Sequence, residues 1–432
     1  MRVSTIPATL RRAARTVHRF DWLLLALAAP ALLFPSPLRS LALLVIIAIW
    51  AANWIATGAI VPRTPLDWPI LLILVMVLVS LGATYSLAVS LAKITGIVLG
   101  MAAYYLLARR LATAGAFAWG LWAYAALGAA FAVAGLLGTD WLYKFPLLDR
   151  VVSGLPGLIR GLPGIEEGLQ PNYVAGALVL FLPVQLALLA GLPPRRSTLG
   201  RAALLAALAA LTALTLVLTQ SRGGLIGLAV GLGTWLAWHG PRTRWLLLAG
   251  AMTTALAVIL IGSERTASTL LSAIGPNSTG NLQGRVELWS RAVTAIQAFP
   301  LTGLGLNGFR HALPVLFPMF TIAPDFDVSH AHNQFLQAAL DLGLPGLAAF
   351  AALAVGALAL LAAARRRTRL PAQRWLAEGL AAALVAQLTF GLADAIAFGA
   401  RVHLFFWAAL AYSVCLYALT QAEPSGAPAP AP

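Results

Sequence analysis

Three places in the sequence combine residue types that handle charge and protons. The run Asp325-Phe-Asp-Val-Ser-His-Ala-His-Asn333 sets two carboxylates and two imidazoles directly before a long apolar stretch. Ser329 is placed to cap the helix that follows, which puts His332 in its first turn, where the helix dipole disfavours an imidazolium. A neutral imidazole accepts a proton, which is the task of a general base working on a hydroxyl nucleophile. Two other readings use the same residues. Asp325, Asp327, His330 and His332 are ligand types for a divalent metal, and His332 also suits a hydrogen-bonded structural group beneath a loop.

The other two places carry arginine. In Gln220-Ser-Arg-Gly-Gly224, Arg222 stands beside two glycines that would let the backbone approach a ligand, and its planar fork suits phosphate oxygens. The competing reading is a plain helix turn with an interfacial Arg anchor. In Gly284-Arg-Val-Glu-Leu-Trp289, Arg285 falls in the first turn of a helix, where its charge and the orphan N–H groups attract anions together. Glu287 and Arg291 are spaced as an ordinary surface pair. Arg265 and Arg310 stand behind Arg285 as further anion ligands, and each arginine competes with a merely solvated face. Arg160, near Gln170-Pro-Asn172, is a lesser candidate. Asp394 and Arg401 are expected to pair with each other, and Lys93 either lines a cavity or snorkels outward.

The elements that position these residues are membrane helices. The chain has 432 residues, 60% hydrophobic and 10% charged, with a mean hydropathy of +0.86, so soluble enzyme folds are excluded. Apolar runs at about 22–35, 38–61, 68–83, 87–108, 114–138, 172–192, 198–219, 223–238, 245–262, 332–364, 376–396 and 402–420 predict about twelve transmembrane helices. The first, after a basic N-terminal segment, is expected to be retained rather than cleaved as a signal peptide. Cys415 is the only cysteine, which excludes an intrachain disulfide and a cysteine-based metal centre.

The net charge of +15 does not call for nucleic acid, because the basic residues cluster between apolar runs on the N-terminal side of the membrane, satisfying the positive-inside rule. Residues 1–21 are expected to form a cytoplasmic tail, 22–262 the first nine spans with a periplasmic segment at about 139–171, 263–331 one large periplasmic loop, 332–420 the last three spans, and 421–432 a disordered cytoplasmic tail. Within the large loop, Val286, Trp289, Val293 and Ile296 predict an amphipathic helix ended by Pro300 and the glycines that follow, its apolar face on the bundle or in the outer leaflet.

In order and spacing, Ser221-Arg222-Gly223-Gly224, then Gly284-Arg285-Val-Glu-Leu-Trp289 with Pro300 and Gly303-Leu-Gly305, then Ala331-His-Asn-Gln-Phe-Leu336 with Gly343-Leu-Pro-Gly346, resemble the O-antigen ligase and polymerase superfamily. Chain length and the single dominant loop resemble its ligase branch. The resemblance implies an all-α, GT-C-like integral membrane protein of the bacterial inner membrane, with both termini cytoplasmic and the active site facing the periplasm. It further implies an inverting glycosyltransferase that moves O-antigen from undecaprenyl diphosphate to the lipid A-core, in lipopolysaccharide biosynthesis, without ATP, nucleotide sugar, metal or other cofactor. By motif, Arg222 and Arg285 would bind the diphosphate, with Arg265 a looser match, and His332 would be the catalytic base; His330 is the second histidine of that motif.

The residues themselves leave the acceptor open. An O-antigen polymerase or a protein O-oligosaccharyltransferase would use the same donor. A secondary transporter explains the spans equally well but would place its ionisable groups near mid-membrane, where Lys93 and Asp341 are the exceptions to a set that otherwise crowds the outer face.

Overall fold

The protein is seen in a computed structural model that describes residues 7–141, 143, 146–161, 166–245, 252, 282–322, 327–396 and 398–422. Its elements are α1 (Ala8–Leu33), α2 (Arg39–Thr57), α3 (Asp67–Ala83), α4 (Leu87–Arg110), α5 (Ala114–Gly138), the short α6 (Pro146–Val152), α7 (Pro171–Ala190), α8 (Leu199–Leu218), α9 (Arg222–Ala237), α10 (Leu282–Ala298), α11 (Phe309–Leu316), α12 (Gln334–Arg367), α13 (Pro371–Ala393) and α14 (His403–Ala422). Among the described residues, nine helices are long and apolar enough to cross a membrane, and the apolar α3 and α9 are slightly shorter. The protein is therefore an all-α integral membrane protein. Eleven of the twelve expected runs are helices. The expected ninth span at 245–262 lies almost wholly outside the described residues, as do Arg265, Asp325 and the tail beyond Ala422.

The segment expected as an N-terminal tail is helical from Ala8, with a bend at Phe20. Beside the bend, the buried Asp21 carboxylate receives Arg109 and Arg110 from the end of α4, a pairing that a carboxylate needs at such depth. The amphipathic helix exists as α10, with Trp289 and Ile296 of the expected face turned to the bundle. Leu288, Ala292 and Ala295 are buried against Leu304, Phe309, Leu313 and Leu340, while Val286 and Val293 are exposed. Two small alanines let α10 lie close to the bundle, and Trp289 turns its indole N–H to the Ala331 carbonyl at 2.9 Å.

α13 is the inner helix of the bundle, packed against α7, α9 and α12. Small residues set its contact with α9. A Cβ added at Gly227 or Gly231 would meet the Ala386 or Ala382 carbonyl of α13, so these backbones touch with no side chain between them. The Ser221-Arg-Gly-Gly224 glycines belong to the same packing. Gly224 packs on Ala175, where an added Cβ would be too close, whereas a Cβ at Gly223 would meet Phe390 and Ala393 only at ordinary contact distance.

α12 is broken in its interior at Gly343, where φ is +70° and ψ 178°, two residues before Pro345. The break frees the Leu340 carbonyl and the Leu344 amide, and the turn after α10 fills the gap: Leu304 donates to Leu340 O at 2.7 Å and Leu344 donates to Pro300 O at 2.7 Å. An added Cβ at Gly303 would strike Leu340 O, and one at Gly343 would strike Leu301 O. The two glycine motifs thus fit each other and satisfy backbone groups at membrane depth.

Gly343→Ala should therefore destabilise the fold by at least about 1–3 kcal/mol through the left-handed backbone alone, seen as a lower unfolding midpoint of the detergent-solubilised protein. Gly200→Ala, whose new methyl meets nothing, should leave the midpoint unchanged or slightly raised; equal effects of the two would contradict the docking.

Candidate active site

The sequence-predicted histidines and Arg285 meet at the C-terminal end of α13. The first contact is made by Asp394, the residue that ends α13: its Oδ1 lies 3.1 Å from His332 Nδ1 and accepts the Ala395 N–H at 2.8 Å. An ionised carboxylate only accepts, so His332 Nδ1 carries the proton of this bond and Nε2 is the nitrogen left for chemistry. Asp394 is buried, and burial alone would raise its pKa. The hydrogen bond from His332, the fields of both imidazoles and the Ala395 N–H outweigh that and hold it at about 2.

His332 is not in the first turn of α12, as its sequence position suggests. Asn333, not Ser329, is the N-cap, its Oδ1 accepting the Phe335 and Leu336 N–H groups at 3.0 Å each. His332 stands one residue earlier with φ +47°, a left-handed conformation that side chains seldom adopt. Asn333 Nδ2 binds the Leu392 carbonyl of α13 at 3.2 Å, so the strained residue is clamped between two helix ends. Gln220, just before Ser221-Arg222, is also left-handed at φ +53°, which places two such residues beside chemical groups.

His330 is the less accessible histidine. Its Nδ1 accepts the His332 backbone N–H at 3.2 Å and is 3.9 Å from Asp394 Oδ1, too far to bond. Its ring is 4.3 Å from that of His332 and 6.2 Å from that of Tyr173 on α7. Burial pushes its pKa down to about 4; Asp394 pulls the other way, while His332, Lys93 and Arg285 add to the depression. His330 is therefore a neutral, positioning imidazole at neutral pH.

The arginines divide. Arg285 donates to the Ala393 carbonyl, one residue from Asp394. Arg222 opens α9, capped by Ser221 Oγ on the Gly224 N–H at 3.3 Å, and Gly223 beside it faces the same end of α13. Arg310 is instead paired with Asp327 at the surface, its Nε 2.6 Å from Oδ1. Arg160 binds the Thr139 carbonyl at 2.6 Å and Asp140 at 3.3 Å. Glu287 takes the N–H groups of Phe320 and Thr321 at 2.6 and 2.7 Å, with Arg291 over the Phe320 ring, in place of the expected Glu287–Arg291 pair. Asp394 and Arg401 do not pair either: Arg401 donates to Leu33 O at 2.9 Å and lies over the Phe34 ring.

Among the described residues, His330, His332 and Asp394 offer ligand atoms that lie within 4.8 Å of one another and could hold a metal; the expected set with Asp325 includes a residue outside those described. A metal on either Nδ1 would displace one of the two hydrogen bonds just described. Behind the site, Gln337 joins the Ala331 N–H at 2.9 Å to Asp341 at 3.0 Å, and Lys93 reaches Asp341 at 3.5 Å. Sequence reasoning missed Gln337 and the role of Asp394. The signal was present in Gln334, Gln337 and Asp341, a polar stripe at helical spacing on an otherwise apolar span.

The fold is that of a multi-pass membrane protein, and residues 206–351 match the family model described as O-Antigen ligase, in agreement with the resemblance read from the motifs. Among curated proteins, the chain is similar to the exopolysaccharide production protein ExoQ of Rhizobium meliloti (strain 1021), with 30% identity over 153 residues. That similarity spans 34% of this chain and 34% of the relative.

Because the unfolded chain takes up a proton on His330 below pH 6.5 and the folded one does not until about 4, stability should fall as pH drops through that window. The Asp394 contribution is lost lower, between 3.8 and about 2. Unfolding midpoints measured from pH 7 to 4 should decline for the parent and flatten for His330→Gln; parallel slopes would contradict a buried neutral His330.

Proposed function

We propose that the protein is an inverting, metal-independent glycosyltransferase that takes a glycan from undecaprenyl diphosphate and ligates it, as O-antigen, to the lipid A-core at the periplasmic face of the bacterial inner membrane, with both termini cytoplasmic. The observation that carries this reading is the His332 imidazole, oriented by the ionised Asp394 at a helix end that Arg285 also binds. With Nδ1–H held by the carboxylate, Nε2 can take the proton of an acceptor hydroxyl as its oxygen bonds to the anomeric carbon. The carbon–oxygen bond to the diphosphate breaks, its electron pair leaving with the phosphate. Arg222 and Arg285 supply positive charge to that leaving group, the part a metal plays elsewhere. Arg265, Arg160 and Arg310 stay as outer ligands of the same anionic donor, the last two subordinate because Asp140 and Asp327 already engage them. No nucleic acid enters the reaction.

One observation favours a second acceptor. The relative's name concerns exopolysaccharide production, which suits a polymerase that adds glycan to a growing chain through the same donor chemistry.

The test is transfer by purified protein in vesicles holding undecaprenyl-diphosphate glycan and lipid A-core, with EDTA and without ATP. Glycan should appear on lipid A-core. His332→Ala should lower the rate roughly 10²–10⁴-fold, and Arg222→Ala or Arg285→Ala roughly 100-fold or more. Lengthened glycan still on the prenyl lipid would establish the polymerase reading, and loss of activity in EDTA would move the His330, His332 and Asp394 trio to a metal site.

A further inference from the structure

A cavity of about 870 Å³ opens between the end of α1, α4, α5, α7 and the start of α14, on the far side of Tyr173 from the histidines. Arg222, Arg285 and His332 do not line it. Tyr173 does, and its ring lies 6.2 Å from that of His330, so the cavity reaches to within one side chain of the histidine pair. The walls are largely apolar, with Phe34, Phe131 and Phe405 among them, yet three cations also line the space: Arg39, Lys93 and Arg401. Ile159, Glu166 and Glu167 also line it.

These cations are built in rather than scattered. Arg39 bonds the Phe34 carbonyl through Nη2 at 3.2 Å, while its Nε is buried without a partner. Arg401 is fixed by Leu33 O and the Phe34 ring. Lys93 holds Asp341 only at 3.5 Å. The turn that carries Arg401 is seated directly on α4, since an added Cβ at Gly399 would strike Lys93 O and one at Gly96 would strike Gly399 O.

A single displacement needs two substrates on opposite faces of one carbon. The donor diphosphate, on the reading above, lies with Arg222 and Arg285. A second, separately charged and largely apolar chamber beyond the histidines therefore suits the attacking partner. We propose that this cavity is the acceptor subsite and that it receives the end of an anionic, lipid-borne saccharide, with Arg39 and Lys93 on its phosphate or carboxylate groups and Glu167 accepting from its hydroxyls. The volume falls within the range of about 300–1,000 Å³ typical of small-molecule sites. It holds the end of a glycan and leaves the lipid chains outside. This assignment rests on the glycosyltransferase reading for its role, but the binding it requires is separable from turnover.

The experiment places a fluorophore on Ala134→Cys in a Cys415→Ser background, full chain in nanodiscs, and titrates lipid A-core, its phosphatase-treated form, undecaprenyl diphosphate and inorganic phosphate. Lipid A-core should shift the signal saturably, the dephosphorylated form and Arg39→Gln should each bind about tenfold more weakly or worse, and undecaprenyl diphosphate should not compete. In the transfer assay Arg39→Gln should raise KM for the acceptor and leave that for the donor unchanged. Ala134→Trp, which fills the cavity without removing a charge, should do the same if Arg39→Gln proves unstable. Competition by undecaprenyl diphosphate, an equal response to inorganic phosphate, or no saturable shift would each overturn the assignment. Saturable binding with these specificities and no transfer from any donor would leave the cavity standing and remove the glycosyltransferase reading.

Discussion

The break in α12 at Gly343 is the constraint on which the site depends. A helix interrupted inside a membrane must find partners for the backbone groups it frees. Here the partners are the Pro300 carbonyl and the Leu304 amide, in the turn that ends α10. One pair of bonds thus fixes the extramembrane helices on the bundle, places Trp289 against Ala331, and holds the short segment carrying His330 and His332 over the end of α13. The glycines on both sides of the joint are there because any side chain would separate the two backbones.

Within that frame the chemistry is set by charge placement. Asp394 is a buried carboxylate at the terminus of a buried helix, and it stays ionised because an imidazole and an N–H group face it. Its charge fixes the tautomer of His332, while His330, buried and neutral, accepts from the His332 backbone and holds that residue in its left-handed conformation. Asp341, wholly buried, is engaged by Lys93 and by Gln337, which leads to the same loop. It therefore supports the site from behind.

Much of the fold was legible in the sequence because apolar runs of span length have few alternatives, and eleven of twelve appear as helices. The order of the motifs was legible too. What sequence could not supply was pairing across the chain. Asp394 and Arg401 lie seven residues apart and look like partners, yet the turn between them points one at His332 and the other at Leu33. That Gly224 of the Ser-Arg-Gly-Gly turn packs on Ala175 is a three-dimensional fact with no local signature. Likewise periodicity could not divide the apolar residues of α10: Leu288, Ala292, Ala295 and, in part, Ile296 meet the bundle, while Val286 and Val293 stay exposed. His332 fell one residue outside its helix because Asn333, not Ser329, is the cap.

The central claim is that His332 takes the proton of an attacking hydroxyl while the arginines hold the leaving diphosphate on the opposite face. The anomeric configuration of the newly formed linkage, determined by nuclear magnetic resonance on product made by the purified protein from a donor of defined configuration, tests it most directly. Complete inversion at the transferred carbon is expected. Retention would contradict the proposed single displacement, because the hydroxyl would then not have attacked from the face opposite the diphosphate.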